Sequence, residues 1–226
     1  MNAKRKTPLQ AAAKSGTVES VLESLEDDIV FGRLHPRERL VEDALMERFD
    51  IKRHVVRDVL TRLEALGLVE RKKNVGALVR SFSGQEIVEL YAMRELLETQ
   101  AARLIALPVD ERRLHALIEV QGEHDAAVQA DDLHRVFRSN QRFHQLLFAL
   151  APNSVLVQAI DEYSRKTHPI RFLSLLSGSY REQARQDHWQ IIEALRLGDR
   201  KSLVKLCATH LTPSREAYLK AHQLGA

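Results

Sequence analysis

Three observations predict a mainly α chain in two parts: an N-terminal winged helix-turn-helix with a small β-wing, then an all-α antiparallel helical bundle. Glycine and proline together supply only 15 of 226 residues. That is about half the usual share, which disfavours a turn-dense β architecture and favours long helices. Apolar residues recur at three- and four-residue spacing along most of the chain, the period of one helix face. Charge is unevenly divided: residues 1–80 carry 16 basic and 13 acidic side chains and residues 81–226 carry 18 of each, so the whole excess lies in front. The length suits two modest domains, placed at 17–80 and 81–226 behind a polar arm over 1–16.

Composition narrows the function classes. With 44% hydrophobic and 29% charged residues the chain can bury a core and is not mainly disordered. Cys207 is the sole cysteine, which excludes an intrachain disulfide. No apolar run reaches bilayer length, and Lys4-Arg5-Lys6 leads into no signal-peptide core. The expectation is a soluble cytoplasmic protein with no membrane partner.

In the front third, Val18, Val21, Leu22, Leu25, Ile29 and Val30 describe one helix face ending near Gly32. A second helix after Pro36 is striped by Leu40, Val41, Ala44, Leu45 and Phe49. A third, from about Lys52 to Leu66, turns Val55, Val56, Val59, Leu60, Leu63 and Leu66 to one side and Arg53, His54, Arg57 and Thr61 to the other. Residues 48–80 hold 9 basic against 4 acidic side chains, a density suited to a polyanion. Two arginines projecting from one helix start suit the major groove, since a guanidinium donates two bonds to guanine or clamps phosphate. A solvated basic face is the simpler alternative. Leu68 to Val79 reads as two short strands around a basic turn, the wing.

These residues resemble a family. Gly32-Arg33-Leu34-His35-Pro36, Arg39-Leu40-Val41-Glu42, Arg53-His54-Val55-Val56-Arg57-Asp58-Val59-Leu60 and Leu63-Glu64-Ala65-Leu66-Gly67-Leu68-Val69 stand in the order of the DNA-binding domain of GntR-type bacterial transcription regulators. The resemblance implies DNA contacts from Arg53 and Arg57, with Asn74 and Gly76 at a wing tip near the minor groove. The chain departs from the family pattern at Arg37, Lys52 and Val55, where glycine, a capping serine, and proline or threonine are usual.

From Ser83 onward the pattern is helical, with breaks near Pro108, Ala130, Pro152, Gly178 and Gly198, giving about six helices. The informative residues are polar ones on apolar stripes. Arg94 and Glu98 sit one turn apart amid Ile87, Leu90, Leu97 and Ala101, either as an internal ion pair or as a grip on an acidic effector. Asn140 and His144 interrupt the face of Leu133, Val136, Phe137, Phe143 and Leu147. His188 and His210 are embedded in later apolar stripes. One such histidine is usually a satisfied core residue, whereas three on separate helices can converge on a divalent cation. Cys207, on the His210 face, reads as packing.

Asn140-Gln141-Arg142-Phe143-His144, Asp187-His188-Trp189-Gln190-Ile191-Ile192-Glu193-Ala194-Leu195 with Gly198-Asp199, and His210 resemble the ligand-sensing domain of the FadR subgroup. That resemblance implies zinc, nickel or manganese held by Asn140, His144, His188 and His210, with Asn140 where an aspartate is usual. It also implies a carboxylate effector assisted by Arg94, a homodimer, and repression of an operator in double-stranded DNA. A metal-dependent enzyme acting on a small carboxylate is the rival reading. The sequence offers it no partner base beyond Glu98, no phosphate loop and no nucleophile elbow.

Overall fold

The computed structural model describes residues 16–221, so the arm expected over 1–16 lies almost wholly outside the described residues. The chain divides into two compact units between Ser81 and Phe82. In the first, Thr17 caps α1 (Val18–Val30) by accepting from the Ser20 amide, satisfying one of the free donors of the opening turn. There follow β1 (Arg39–Leu40), α2 (Glu42–Phe49), α3 (Arg53–Ala65), β2 (Val69–Lys72) and β3 (Gly76–Val79). The strands form one antiparallel sheet in the order β1-β3-β2, with Leu78 opposite Arg39 on one side and Glu70 on the other.

The second helix begins later than expected. Leu40 belongs to β1 and Val41 is the extended residue before α2, because Arg39-Leu40 pairs with β3 and Leu40 turns its side chain into the core. Asp50, in the left-handed conformation at φ 50°, ends α2 and allows the tight turn into α3. Val56, Val59, Leu60 and Leu63 of α3 pack with Leu25 and Phe49 at the centre of this unit.

The second unit contains α4 (Gly84–Leu104), α5 (Glu111–Gln129), α6 (Leu133–Phe148), α7 (Ser154–Lys166), α8 (His168–Leu176), α9 (Gly178–Leu197), α10 (Arg200–Thr209) and α11 (Thr212–Ala221). Eight helices among the described residues replace the six expected. Both extra breaks precede a proline in a first helical turn, Pro169 in α8 and Pro213 in α11, where a missing N–H costs nothing. Ser83 and Glu86 form a reciprocal capping box that fixes the start of α4. The core gathers Ile105, Leu117, Phe143, Leu147, Leu195 and Leu203. Cys207 is buried in it, and burial pushes its thiol pKa up, so it packs and does not react. Among the described residues no helix is long and apolar enough to cross a membrane.

Leu63 is fully buried, so Leu63→Ala should cost about 2–5 kcal/mol. Hydrogen exchange at the α3 amides reads this directly; unchanged protection would contradict the central position of that side chain.

Candidate nucleic-acid interface and metal centre

With one face of α3 committed to the core, the helical period carries Arg53, His54, Arg57 and Thr61 to its outer face, and all four are exposed. Arg53 Nη2 lies 2.6 Å from Asp43 Oδ1, and Arg57 Nε donates to both carboxylate oxygens of Glu42 at 3.2 Å. Exposed ion pairs of this kind contribute about 0–1 kcal/mol. The guanidiniums can therefore exchange a carboxylate for a phosphate or a guanine edge at little cost.

Thr61 Oγ1 accepts from Arg71 Nη2 at 2.8 Å, and Arg71 also reaches the Arg57 carbonyl, so a cation on β2 is held against the middle of α3. The sequence reading missed Arg71, since no periodicity links a strand residue to a helix ten positions away. Asn74, in the β2–β3 turn, and Gly76, the first residue of β3, are exposed with φ of 65° and 102°, a conformation suited to asparagine and glycine.

In the second unit three imidazoles converge from α6, α9 and the residue closing α10. The ligand atoms of His144, His188 and His210 lie within 4.8 Å of one another, and Nε2 of His144 is 3.1 Å from Nε2 of His210. That spacing is close to the separation of two nitrogens each bonded at about 2.1 Å to one ion. The protons can be placed from the partners behind the rings. A carboxylate only accepts, so His210 Nδ1 donates to Asp187 Oδ2 at 3.0 Å and its Nε2 presents a lone pair. Gln121 donates its amide to Asp125 at 2.8 Å, which turns its oxygen to accept from His188 Nδ1 at 2.8 Å. His188 Nε2 is then a buried lone pair without a protein partner. His144 Nδ1 has no partner behind it, but with His188 and His210 each braced at Nδ1 and presenting Nε2, the three neutral imidazoles are a donor set that fits a divalent ion.

Around the cluster lie two cavities. One of about 70 Å³ is lined by Arg94, Asn140, Arg171, Asp187 and His210, among others. The second, of about 260 Å³, is bordered by Arg94, Glu98, Gln141, His144 and His168. Asn140 thus lines the first cavity alongside His210, and His144 faces the second. Arg94 and Glu98 form the internal ion pair, with Arg94 Nη2 2.7 Å from Glu98 Oε1 and Nη1 donating to Thr167 Oγ1 at 3.1 Å. Both are 2% exposed. Arg171 is also buried, but its side chain reaches only the Ser164 hydroxyl, at 3.3 Å. Among the described residues no carboxylate lies within salt-bridge distance of it. Burial, with Arg94 adding repulsion and Tyr91 and Glu98 offsetting only part of it, pushes its pKa down to about 10.

Residues 17–79 match the model of the bacterial regulatory proteins of the gntR family, and residues 89–213 match the FCD domain. The chain belongs to the GntR family, with an FCD domain behind its helix-turn-helix. The HTH-type transcriptional repressor RspR of Escherichia coli is 23% identical over 205 residues, spanning 91% of this chain and 90% of the relative. Among solved structures, E. coli McbR/YncC superposes with a TM-score of 0.78 at 16% identity, covering 92% of this chain and 100% of that one. The metal-free FCD domain of TM0439 superposes at 0.53 with 17% identity, covering 64% and 99%. GntR-family members are transcriptional regulators, so this chain is a regulator and not the metal-dependent enzyme weighed as the rival.

Within this GntR-family chain, Glu98 is not the sole internal carboxylate: Asp187 is also buried, beside His210. Asp187 immediately precedes His188, and reading only the apolar stripe hid it. Arg171, Gln121 and His124 were missed as well. His124 falls four residues after Val120 on the buried face of α5, so its stripe position carried a signal.

Burial, reinforced by His210, holds His144 and His188 well below the ordinary imidazole range, and burial drives His124 down to about 4 despite Asp125. Unfolded imidazoles protonate near 6.5. Below that pH the unfolded metal-free chain takes up protons that the folded chain refuses, so stability falls as pH drops from about 6.5 towards about 4. Urea unfolding of chelator-treated protein across that range should show the decline; a flat or rising profile would contradict burial of the neutral rings.

Proposed function

We propose that this regulator is an operator-binding repressor of the bacterial cytoplasm whose DNA affinity is set by a small organic acid bound beside a divalent ion. The observation that carries the reading is the buried Arg171, a cation with no carboxylate within salt-bridge distance among the described residues, which lines one cavity with Arg94 and His210. A buried charge without a close counter-ion is costly, and an anionic ligand lowers that cost. His144, His188 and His210, with Asn140 as an oxygen donor, are the residues to hold zinc, nickel or manganese. When bound, the ion supplies a fixed positive charge that orients a carboxylate. Arg171 and Arg94 bind the acid from their side of the cavity, while Glu98 holds the Arg94 guanidinium in place.

At the other unit, Arg53, His54, Arg57 and Thr61 enter the major groove of operator DNA, and Asn74 and Gly76 bring the wing tip to the adjoining minor groove. Two such units in a homodimer read half-sites about one DNA turn apart. Val88, Met93 and Leu96 expose apolar surface on α4, which supports a second copy as partner. An acid that prefers one arrangement of the two DNA-binding units changes operator affinity by its differential binding energy, about 1–3 kcal/mol.

Operator fragments selected by the purified protein provide the assay, read by fluorescence anisotropy. Arg53→Ala and Arg57→Ala should each lower affinity by about 1–3 kcal/mol. In thermal melts, a panel of acetate, malonate and citrate should include a stabilising member, and Arg171→Met should abolish its effect without lowering the ligand-free melting temperature. Unchanged operator affinity in both arginine variants, or an intact acid response in Arg171→Met, would refute the corresponding half.

A further inference from the structure

We infer that the acid this site takes is a short dicarboxylate, with one carboxylate at the metal end of the smaller cavity and the other at Arg171. This rests on the effector reading above and names the class of acid. Arg171, on α8, is 7% exposed, and its side chain donates only to the Ser164 hydroxyl, leaving Nε and Nη1 without a partner among the described residues. It lines the same cavity as Asn140 of α6 and His210 at the end of α10. One volume therefore borders both the metal centre and a guanidinium with no close counter-ion. At about 10–15 Å³ for each water, the cavity of about 70 Å³ has room for about five to seven water-sized groups, which suits an acid of three or four carbons.

Charge decides between one carboxylate and two. Arg94 and Arg181 also line this cavity, but each has a carboxylate partner outside the lining, Glu98 for Arg94 and Asp131 for Arg181. That leaves Arg171 and Asp187, of opposite sign. Both Asp187 oxygens are engaged, Oδ1 by the Gln183 amide at 2.7 Å and Oδ2 by His210 at 3.0 Å, so this carboxylate is not free to turn to Arg171. A divalent ion on three neutral imidazoles and the Asn140 amide would bring two positive charges and no negative one. The described lining then carries an excess of two positive charges, which a monocarboxylate halves and a dicarboxylate cancels. The second carboxylate goes to Arg171 because a guanidinium offers a carboxylate paired N–H donors, and because a buried cation gains most from a counter-ion it lacks.

The test is calorimetric titration of the zinc-loaded full chain with acids matched in carbon number: propionate against malonate, butyrate against succinate, and lactate for a hydroxyl in place of the second carboxylate. Malonate or succinate should bind at least about tenfold more tightly than its monocarboxylate partner and than lactate. In Arg171→Met the diacid should fall to the level of its monocarboxylate partner. Equal affinity for mono- and dicarboxylate in wild type, or an undiminished preference in Arg171→Met, overturns the dicarboxylate assignment and leaves acid sensing intact. A wild type that binds neither diacid also overturns it; if acetate and citrate fail as well, the effector reading falls with it. Should Arg171→Met lose its cooperative melt, Arg171→Gln takes its place with the same two outcomes.

Discussion

The second unit depends on a constraint imposed by burying imidazoles. A neutral ring has one donor and one acceptor, and in a dry core each needs a partner. Here the acceptor behind the ring is supplied first: Asp187 for His210 and Gln121 for His188. Gln121 is itself oriented by Asp125, whose other oxygen accepts from the indole of Trp189 at 3.0 Å. The outer hydrogen bonds thus settle which nitrogen faces inward before any ligand arrives. Phe143, stacked on His188 with ring centroids 4.0 Å apart, limits the ring's freedom further. A site built in this way does little rearranging on binding, which is what makes a braced donor set more effective than loose histidines.

The charged groups beside it follow the same logic with the opposite outcome. Arg94 is satisfied twice over, by Glu98 on its own helix and by Thr167 at the junction of α7 and α8. Arg171, one turn into α8, has no such partner. A paired guanidinium and one without a close counter-ion line one cavity together with Arg181 against the single carboxylate of Asp187, an excess of positive charge where a small anion fits. The break at Thr167 matters to both, because it ends α7, starts α8 and presents the hydroxyl that Arg94 uses. In the first unit, by contrast, Arg53 and Arg57 of α3 pair with Glu42 and Asp43 of α2 at the surface, where a polyanion can displace the carboxylates.

Much of this was legible in the sequence because it follows from period alone. A 100° rotation separates Val56, Val59 and Leu63 from Arg53 and Arg57, and the same rule singled out His144, His188 and His210 as polar groups on apolar stripes. The missed features depend on pairing between elements. The two-residue strand Arg39-Leu40 exists only because β3 runs beside it, so a helical stripe absorbed it. Asp187 lies next to a residue already singled out, yet its role appears only once α10 brings His210 to it. Arg171 was not singled out, because the expected helix ran unbroken past Thr167, and only the packed structure reveals that it is buried with no carboxylate within salt-bridge distance among the described residues.

Metal stoichiometry tests the central claim most directly. Protein purified without chelators and reconstituted with zinc, nickel or manganese should carry one ion per chain by elemental analysis. The chain with His144, His188 and His210 all replaced by alanine should carry none while keeping its helical circular dichroism. A wild-type chain that stays metal-free after reconstitution, or a triple variant that keeps its ion, would contradict the account.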